Sequence, residues 1–244
     1  MAADGEDIFG RAMRKLERLA SLDETDRRAV RSLQARIEFV PASTLLVTEG
    51  SRATYCTLLL DGHACRYKET GMGGRQILAF CMGGDLLDVQ RVFLARPDHA
   101  VQTISPATIA RVPVAALRTL MAERPRVAEA LWRDTLVETA IAREWVLNVG
   151  RRTATARIAH LLCEFAARRE AAGFGPPERF ELPMTQEQIG DATGLTSVHV
   201  NRKFQELDSI GVIARSRREL RILNWPRLKR IGDFDAAYLD SAAA

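Results

Sequence analysis

Met184-Thr185-Gln186-Glu187-Gln188-Ile189-Gly190-Asp191-Ala192-Thr193-Gly194-Leu195-Thr196-Ser197-Val198-His199-Val200-Asn201-Arg202-Lys203-Phe204-Gln205-Glu206-Leu207 is the stretch on which the reading of this chain turns. Thr185 has the chemistry of a helix N-cap, and Gln188, three residues on, completes a capping box. The helix so started is short and ends near Thr193, where Gly194 supplies the left-handed residue that a sharp interhelical turn needs. Leu195 is placed to wedge between two helices, and Thr196 or Ser197 to cap the second. In that second helix Val200, Phe204 and Leu207 fall four and three apart and share a buried face with Ile189 and Ala192. Ser197, Val198, Asn201, Arg202 and Gln205 are left on another face, with no acid among them. Arg can bond guanine O6 and N7 together, Asn can pair with an adenine edge, and a Val methyl can meet a thymine methyl. The spacing predicts a helix-turn-helix whose second helix reads DNA.

Downstream, Gly211 and Val212-Ile213-Ala214 precede Arg215-Ser216-Arg217-Arg218-Glu219-Leu220-Arg221-Ile222-Leu223. Two β-prone runs about a basic turn read as a wing, with Arg217 and Arg218 suited to phosphate contacts that position without reading sequence. Upstream, Arg179–Leu182 reads as a short strand and 173–177 as a loop. A helix from Thr153 to about Ala171 carries Ile158, Leu161, Leu162 and Phe165 on its apolar side.

Before Gly150-Arg151-Arg152 the chain runs from Pro125 to Val149 with neither Gly nor a second Pro. Val127, Leu131, Val137, Ile141, Trp145 and Val149 form one stripe along it. A helix this long between two domains is expected to bury its stripe against a second copy, as a dimerisation helix. The plainer reading is an ordinary helix packed on its own domain. Further upstream, 37–112 changes character. Short β-prone runs (45–48, 55–60, 75–80, 101–104 and 108–112) alternate with turns at Asp61-Gly62, Gly71-Met72-Gly73-Gly74 and Gly83-Gly84-Asp85. This pattern predicts a small antiparallel roll. The segment 8–33 has helical spacing through Leu16, Leu19, Leu22 and Val30. The fold class is therefore α+β. A helix and β-roll occupy 1–113, a dimerisation helix 114–150, a winged helix-turn-helix 151–230 and a tail 231–244.

Composition agrees. The 244 residues are 47% hydrophobic and 27% charged, ordinary for a globular protein, with a net charge of +4. Residues 1–149 hold 20 Lys and Arg against 19 acids, whereas 150–230 hold 15 against 9. The positive excess thus falls on the helix-turn-helix segment, as nucleic-acid binding requires. The acidic start, without an apolar run, and the absence of any window of about 18 apolar residues predict a cytoplasmic protein that meets no membrane. Cys56, Cys65, Cys81 and Cys163 form no C-x-x-C pair and read as buried hydrophobes rather than as a thiol sensor or ligand set.

The order of elements, the segment Thr185-x-x-x-Ile189-Gly190 through Gly194 to Val200-Asn201-Arg202, and then Leu207 and Gly211, resemble the cyclic-AMP receptor protein and fumarate–nitrate regulator superfamily. The resemblance covers nearly the whole chain. It implies a β-roll of the cyclic-nucleotide-binding type and a homodimer on an operator, with RNA polymerase as a candidate further partner. It also implies a guanine contact for Arg202 and a DNA-backbone contact for Thr185, with Ser197, Val198, His199 and Asn201 completing the interface. The recognition-helix glutamate usual in the family falls at Val198, so a different operator is expected.

The sensor half departs further. The Gly-Glu and Arg-Ser/Thr pairs that bind cyclic nucleotide in the family are answered by Gly84-Asp85 followed by Asp88-Val89, and by Asp98-His99. Asp98 would repel a phosphate, so cyclic AMP is not expected as the effector. Gly84, Asp85, Asp88 and His99 remain as the residues where some other effector would bind. No cysteine precedes Cys56, which removes the iron–sulfur signature. Haem could draw a ligand only from His63 or His99, each more simply a surface histidine. An enzyme is not expected, since H-E-x-x-H, G-x-S-x-G and G-x-x-x-x-G-K are all missing. A cupin-like metal enzyme would need clustered ligands, yet His63, His99, His160 and His199 are scattered. A haem- or thiol-based sensor and a regulator that needs no ligand are the remaining alternatives.

Overall fold

The computed structural model describes residues 9–52 and 54–239. Within them the chain divides into two compact units, one of residues 9–67 and 80–137, the other of 68–79 and 138–239.

The first unit opens with α1 (Gly10–Leu19) and α2 (Glu24–Arg31). The expected single helical segment is broken because Asp23 caps a new helix, accepting from Thr25 N and Asp26 N while Asp26 returns the bond. Ile8 lies outside the described residues. Seven strands follow: β1 (Arg36–Val40), β2 (Leu45–Val47), β3 (Tyr55–Asp61), β4 (His63–Glu69), β5 (Arg75–Met82), β6 (Ala100–Thr103) and β7 (Ala107–Pro113). They form two sheets, ordered β1-β7-β3 and β2-β6-β4-β5. A 3-10 turn, Val89–Val92, interrupts the run between β5 and β6. Strands β1 and β4 are additional to those expected. In β1 the sequence Arg-Ile-Glu-Phe-Val does alternate, but its apolar Ile37 and Phe39 are exposed, and β4, His-Ala-Cys-Arg-Tyr-Lys-Glu, is mostly polar and buries only Ala64 and Cys65. The inner face packs Val47, Leu59, Leu87, Val101 and Ile109 into one core.

Two helices, not one, follow: α3 (Val114–Glu123) and α4 (Pro125–Arg151), with Pro125 opening the second. The stripe on α4 lies otherwise than expected. Val127 and Leu131 join a core with Met13, Leu16, Val30, Leu117 and Leu120, and Val137 packs against it. Ile141 and Trp145 are also buried, and Val149 is half-buried. Four of the six, Val127, Leu131, Ile141 and Trp145, are therefore buried within one copy of the chain, and α1, α2 and α3 cover the first half of the stripe. What α4 leaves exposed is another face, carrying Trp132, Leu136, Val146 and Leu147.

The second unit contains α5 (Ala154–Ala171), β8 (Arg179–Glu181), α6 (Gln186–Thr193), α7 (Ser197–Ser209), β9 (Ile213–Ser216), β10 (Glu219–Ile222), α8 (Trp225–Gly232) and a 3-10 turn, Ala236–Leu239. The three short strands form a sheet ordered β8-β10-β9. Ile158, Leu161, Leu162 and Phe165 of α5 are all buried, as their spacing predicts.

Candidate nucleic-acid interface

Capping fixes the geometry of the helix pair. The Thr185 hydroxyl accepts from Gln188 N at 3.1 Å, and Gln188 Oε1 accepts from Thr185 N at 2.9 Å. At the other end Gly194 adopts φ +67° and donates to Gly190 O. Leu195 N bonds the same carbonyl at 3.1 Å. Gly190 is required for a second reason: a Cβ there would fall 2.4 Å from the Leu195 carbonyl oxygen. The backbones of α6 and the turn therefore meet at a distance only glycine allows. Thr196 caps α7 by accepting from His199 N.

Burial then sorts the side chains of α7. Val200, Phe204 and Leu207 are at most 3% exposed, each contributing about 1.5–3 kcal/mol to holding the helix in place. Ser197, His199, Arg202 and Gln205 are exposed and Asn201 is half-buried. Val198 is 76% exposed, a large value for an apolar side chain on a folded domain. The side chains expected to read DNA thus lie on the side of one capped helix that is turned from the core.

Asn201 is not idle on that face. Its Oδ1 accepts from Gln186 Nε2 at 3.0 Å, so the adenine pairing expected of it would have to share or displace that bond. Gln186, the first residue of α6, did not stand out in the sequence, because two amides 15 positions apart carry no pattern. Arg157 was likewise missed: it donates to Thr193 O at 3.0 Å and so ties α5 to the end of α6.

The wing is a tight hairpin. Ser216 pairs with Glu219, and Arg217 and Arg218, both exposed, form the turn between them. Arg217 sits at φ +54°, a left-handed backbone that costs a non-glycine residue on the order of 1 kcal/mol. Its neighbour Arg215 lies over the Phe204 ring at 4.8 Å, which fastens the wing strand to α7.

The residues expected to hold an effector are engaged within the fold. Gly84, at φ +104°, donates to Leu59 O. The Asp85 carboxylate accepts from Met82 N and pairs with Lys15 of α1 at 2.8 Å. Asp88, 1% exposed, accepts from Thr57 N and pairs with Arg91 at 2.7 Å. Burial pushes its pKa up despite these partners. His99 Nδ1 lies 2.8 Å from the Asp98 carboxylate. Asp85 therefore serves a turn and an ion pair, and a carboxylate and an imidazole stand at Asp98 and His99, where a phosphate would need cations. The donor set does not fit a cyclic nucleotide. No group of three or more metal-binding side chains occurs among the described residues. All four cysteines are buried, and burial pushes the Cys56 and Cys163 thiols up to about 12.

Two family descriptions match the chain: a Crp-like helix-turn-helix domain over residues 156–231 and a cyclic nucleotide-binding domain over residues 37–124. A probable transcriptional activator of Rhizobium leguminosarum is 30% identical over 182 residues, 75% of this chain and 73% of that protein. The nitrogen fixation regulation protein FixK of Bradyrhizobium diazoefficiens is 28% identical, over 80% of this chain and 81% of its own length. The solved structure of FixK2 from Bradyrhizobium japonicum superposes with a TM-score of 0.75 at 27% identity, covering 87% of this chain and all of that one. These relatives are regulators, not enzymes. No helix among the described residues is long and apolar enough to cross a membrane. With its roll of cyclic-nucleotide-binding type, its long helix and its winged helix-turn-helix, the chain belongs to the Crp/Fnr superfamily of DNA-binding transcriptional regulators.

Proposed function

We propose that the protein works in the cytoplasm as a homodimer that reads an inverted repeat through α7, under an effector other than cyclic AMP. The dimer carries one recognition helix on each side of its two-fold axis. Two such helices meet successive major-groove faces about 34 Å apart, so the half-sites lie roughly 10 bp apart. Residues 1–113 are the sensor, 114–150 the dimerisation region and 151–230 the DNA-binding domain. RNA polymerase is the partner through which an operator-bound dimer would act.

The observation that carries this reading is the outward face of α7: Ser197, Val198, Asn201, Arg202 and Gln205 stand clear of the core while Val200, Phe204 and Leu207 are locked into it. Arg202 supplies the bidentate guanine contact. Thr185 and the wing residues Arg217 and Arg218 supply backbone contacts, and His199 lies at the edge of the same face. Removing an Arg–guanine pair costs about 1–3 kcal/mol per contact. Titration of operator and scrambled duplex at two salt concentrations tests the division. Arg202→Ala should lose about 10- to 100-fold on operator and little on scrambled DNA. Arg217→Ala should weaken both alike and flatten the salt dependence. Equal losses on the two duplexes for Arg202→Ala would make it a backbone contact and refute the assignment.

A further inference from the structure

The hydrogen bond between Gln186 and Asn201 has a consequence for which base is read. A bidentate contact to adenine uses both ends of an asparagine amide: Oδ1 accepts from adenine N6 and Nδ2 donates to N7. Here Oδ1 already accepts from Gln186 Nε2 at 3.0 Å. The donor is not a loose surface group. Gln186 is half-buried at the first position of α6, whose backbone is fixed by the Thr185–Gln188 capping box. Asn201 lies four residues after Ser197 and three after Val198, on the face turned outward. With its oxygen turned to Gln186, the carboxamide is left to present its Nδ2 hydrogens to a base. In the major groove guanine (N7 and O6) and thymine (O4) offer acceptors alone, whereas cytosine places an amino donor on that edge and adenine sets an amino donor beside its single acceptor, N7. Two donors facing each other repel.

We propose that Gln186 is a specificity-determining positioning residue: by holding the Asn201 carbonyl oxygen it directs the Asn201 amide hydrogens to an acceptor-only base, guanine or thymine, and against adenine. This rests on α7 being the reading helix. Gln186 need not touch DNA to do so. Its effect passes through the orientation of one neighbouring amide, a role distinct from that of the Arg202 contact.

The test is selection from a library of inverted repeats with random half-sites, followed by four-base competition at each half-site position at fixed salt. The full-length proteins compared are wild type, Gln186→Met, Gln186→Glu, Asn201→Ala and Arg202→Ala. Wild type should prefer guanine or thymine over adenine and cytosine by about three- to tenfold at one position, the worth of one hydrogen bond. Asn201→Ala should lose that preference there alone. Gln186→Met, of similar length but without a donor, should level the four bases to within about twofold. Gln186→Glu can only accept, so it turns the Asn201 amide round and should reverse the preference toward adenine or cytosine. A base ratio is a readout that a merely structural role for Gln186 would leave unmoved. The proposal is overturned if wild type prefers adenine or cytosine there, or if both Gln186 variants keep the wild-type preference. Should Asn201→Ala alter no position while Arg202→Ala does, the proposal falls and the reading by α7 stands. Should neither alter any, both fall.

Discussion

Gly190 shows how much one missing carbon can decide. A β-carbon would stand 2.4 Å from the Leu195 carbonyl oxygen, and that obstacle is backbone, which cannot step aside as a flexible side chain can. Gly190→Ala must therefore part α6 from the turn, at a cost of about 1–3 kcal/mol. Urea unfolding followed by circular dichroism should show a lower midpoint, and operator affinity should fall with it. An unchanged midpoint would mean that the turn yields freely. The cap at Thr185 and the left-handed Gly194 were legible in the sequence, because each follows from local backbone chemistry, whereas Gly190 entered only through the family resemblance. The link from Gln186 to Asn201 was not, since it depends on where two helices bring their amides. Arg217 was legible as a basic turn residue, though its left-handed backbone was not.

Helix α4 teaches the complementary lesson. Its apolar period was read correctly, yet periodicity says only that a face is buried and not by what. Val127 and Leu131 meet the chain's own core, and Trp145 donates from Nε1 to Glu164 at 3.0 Å. The face left open carries Trp132, stacked on Phe93 at 6.1 Å between ring centroids, and Leu136, 59% exposed. Phe93 and Leu94 are themselves exposed beside it. An apolar helix face of this kind is suited to the same face of a second copy. Trp132→Glu or Leu136→Glu should give a monomer by light scattering while shifting stability by less than about 1 kcal/mol. Ile141→Asp, which places a charge in the core, should instead unfold the protein. If the surface variants stay dimeric, the interface lies elsewhere. Strands β1 and β4 were harder to read: β1 is short and exposes the apolar side of its alternation, and β4 buries only Ala64 and Cys65 among polar neighbours.

Across the molecule as a whole, two expectations concern the solution state. His160 is wholly buried, with Nδ1 3.2 Å from Gly232 O and Nε2 3.0 Å from the Tyr238 hydroxyl. Tyr238 in turn donates to Glu164 at 2.7 Å. Burial lowers the His160 pKa, with Arg152 adding to the effect and Glu164, the Gly232 carbonyl and Glu144 opposing it. The unfolded chain therefore takes up a proton more readily than the folded one as pH falls below about 6.5. The stability that His160 contributes is present above that pH and is lost as pH falls toward the lowered folded-state value. Chemical unfolding between pH 8 and 5 should show this decline. His160→Gln should reduce the slope, and an identical slope would assign the decline to other groups. The second expectation concerns the roll, where Asp85 and Asp88 are engaged with Lys15 and Arg91. Calorimetry should detect no micromolar binding of cyclic AMP and no change in operator affinity. Heat from a micromolar site would reverse the assignment.

The sorting of α7 into a locked side and an open side also bears on how such a regulator changes over generations. Val200, Phe204 and Leu207 hold the helix in the core, whereas Ser197, Val198, Arg202 and Gln205 add little to it. Substitutions at these open positions alter stability by about 0.5 kcal/mol or less, and on the proposed reading by α7 each would alter the base that is preferred. A lineage can therefore drift to new operators by single steps that leave the protein folded at every stage. Target sites and reading residues can diverge together while the scaffold beneath them stays the same.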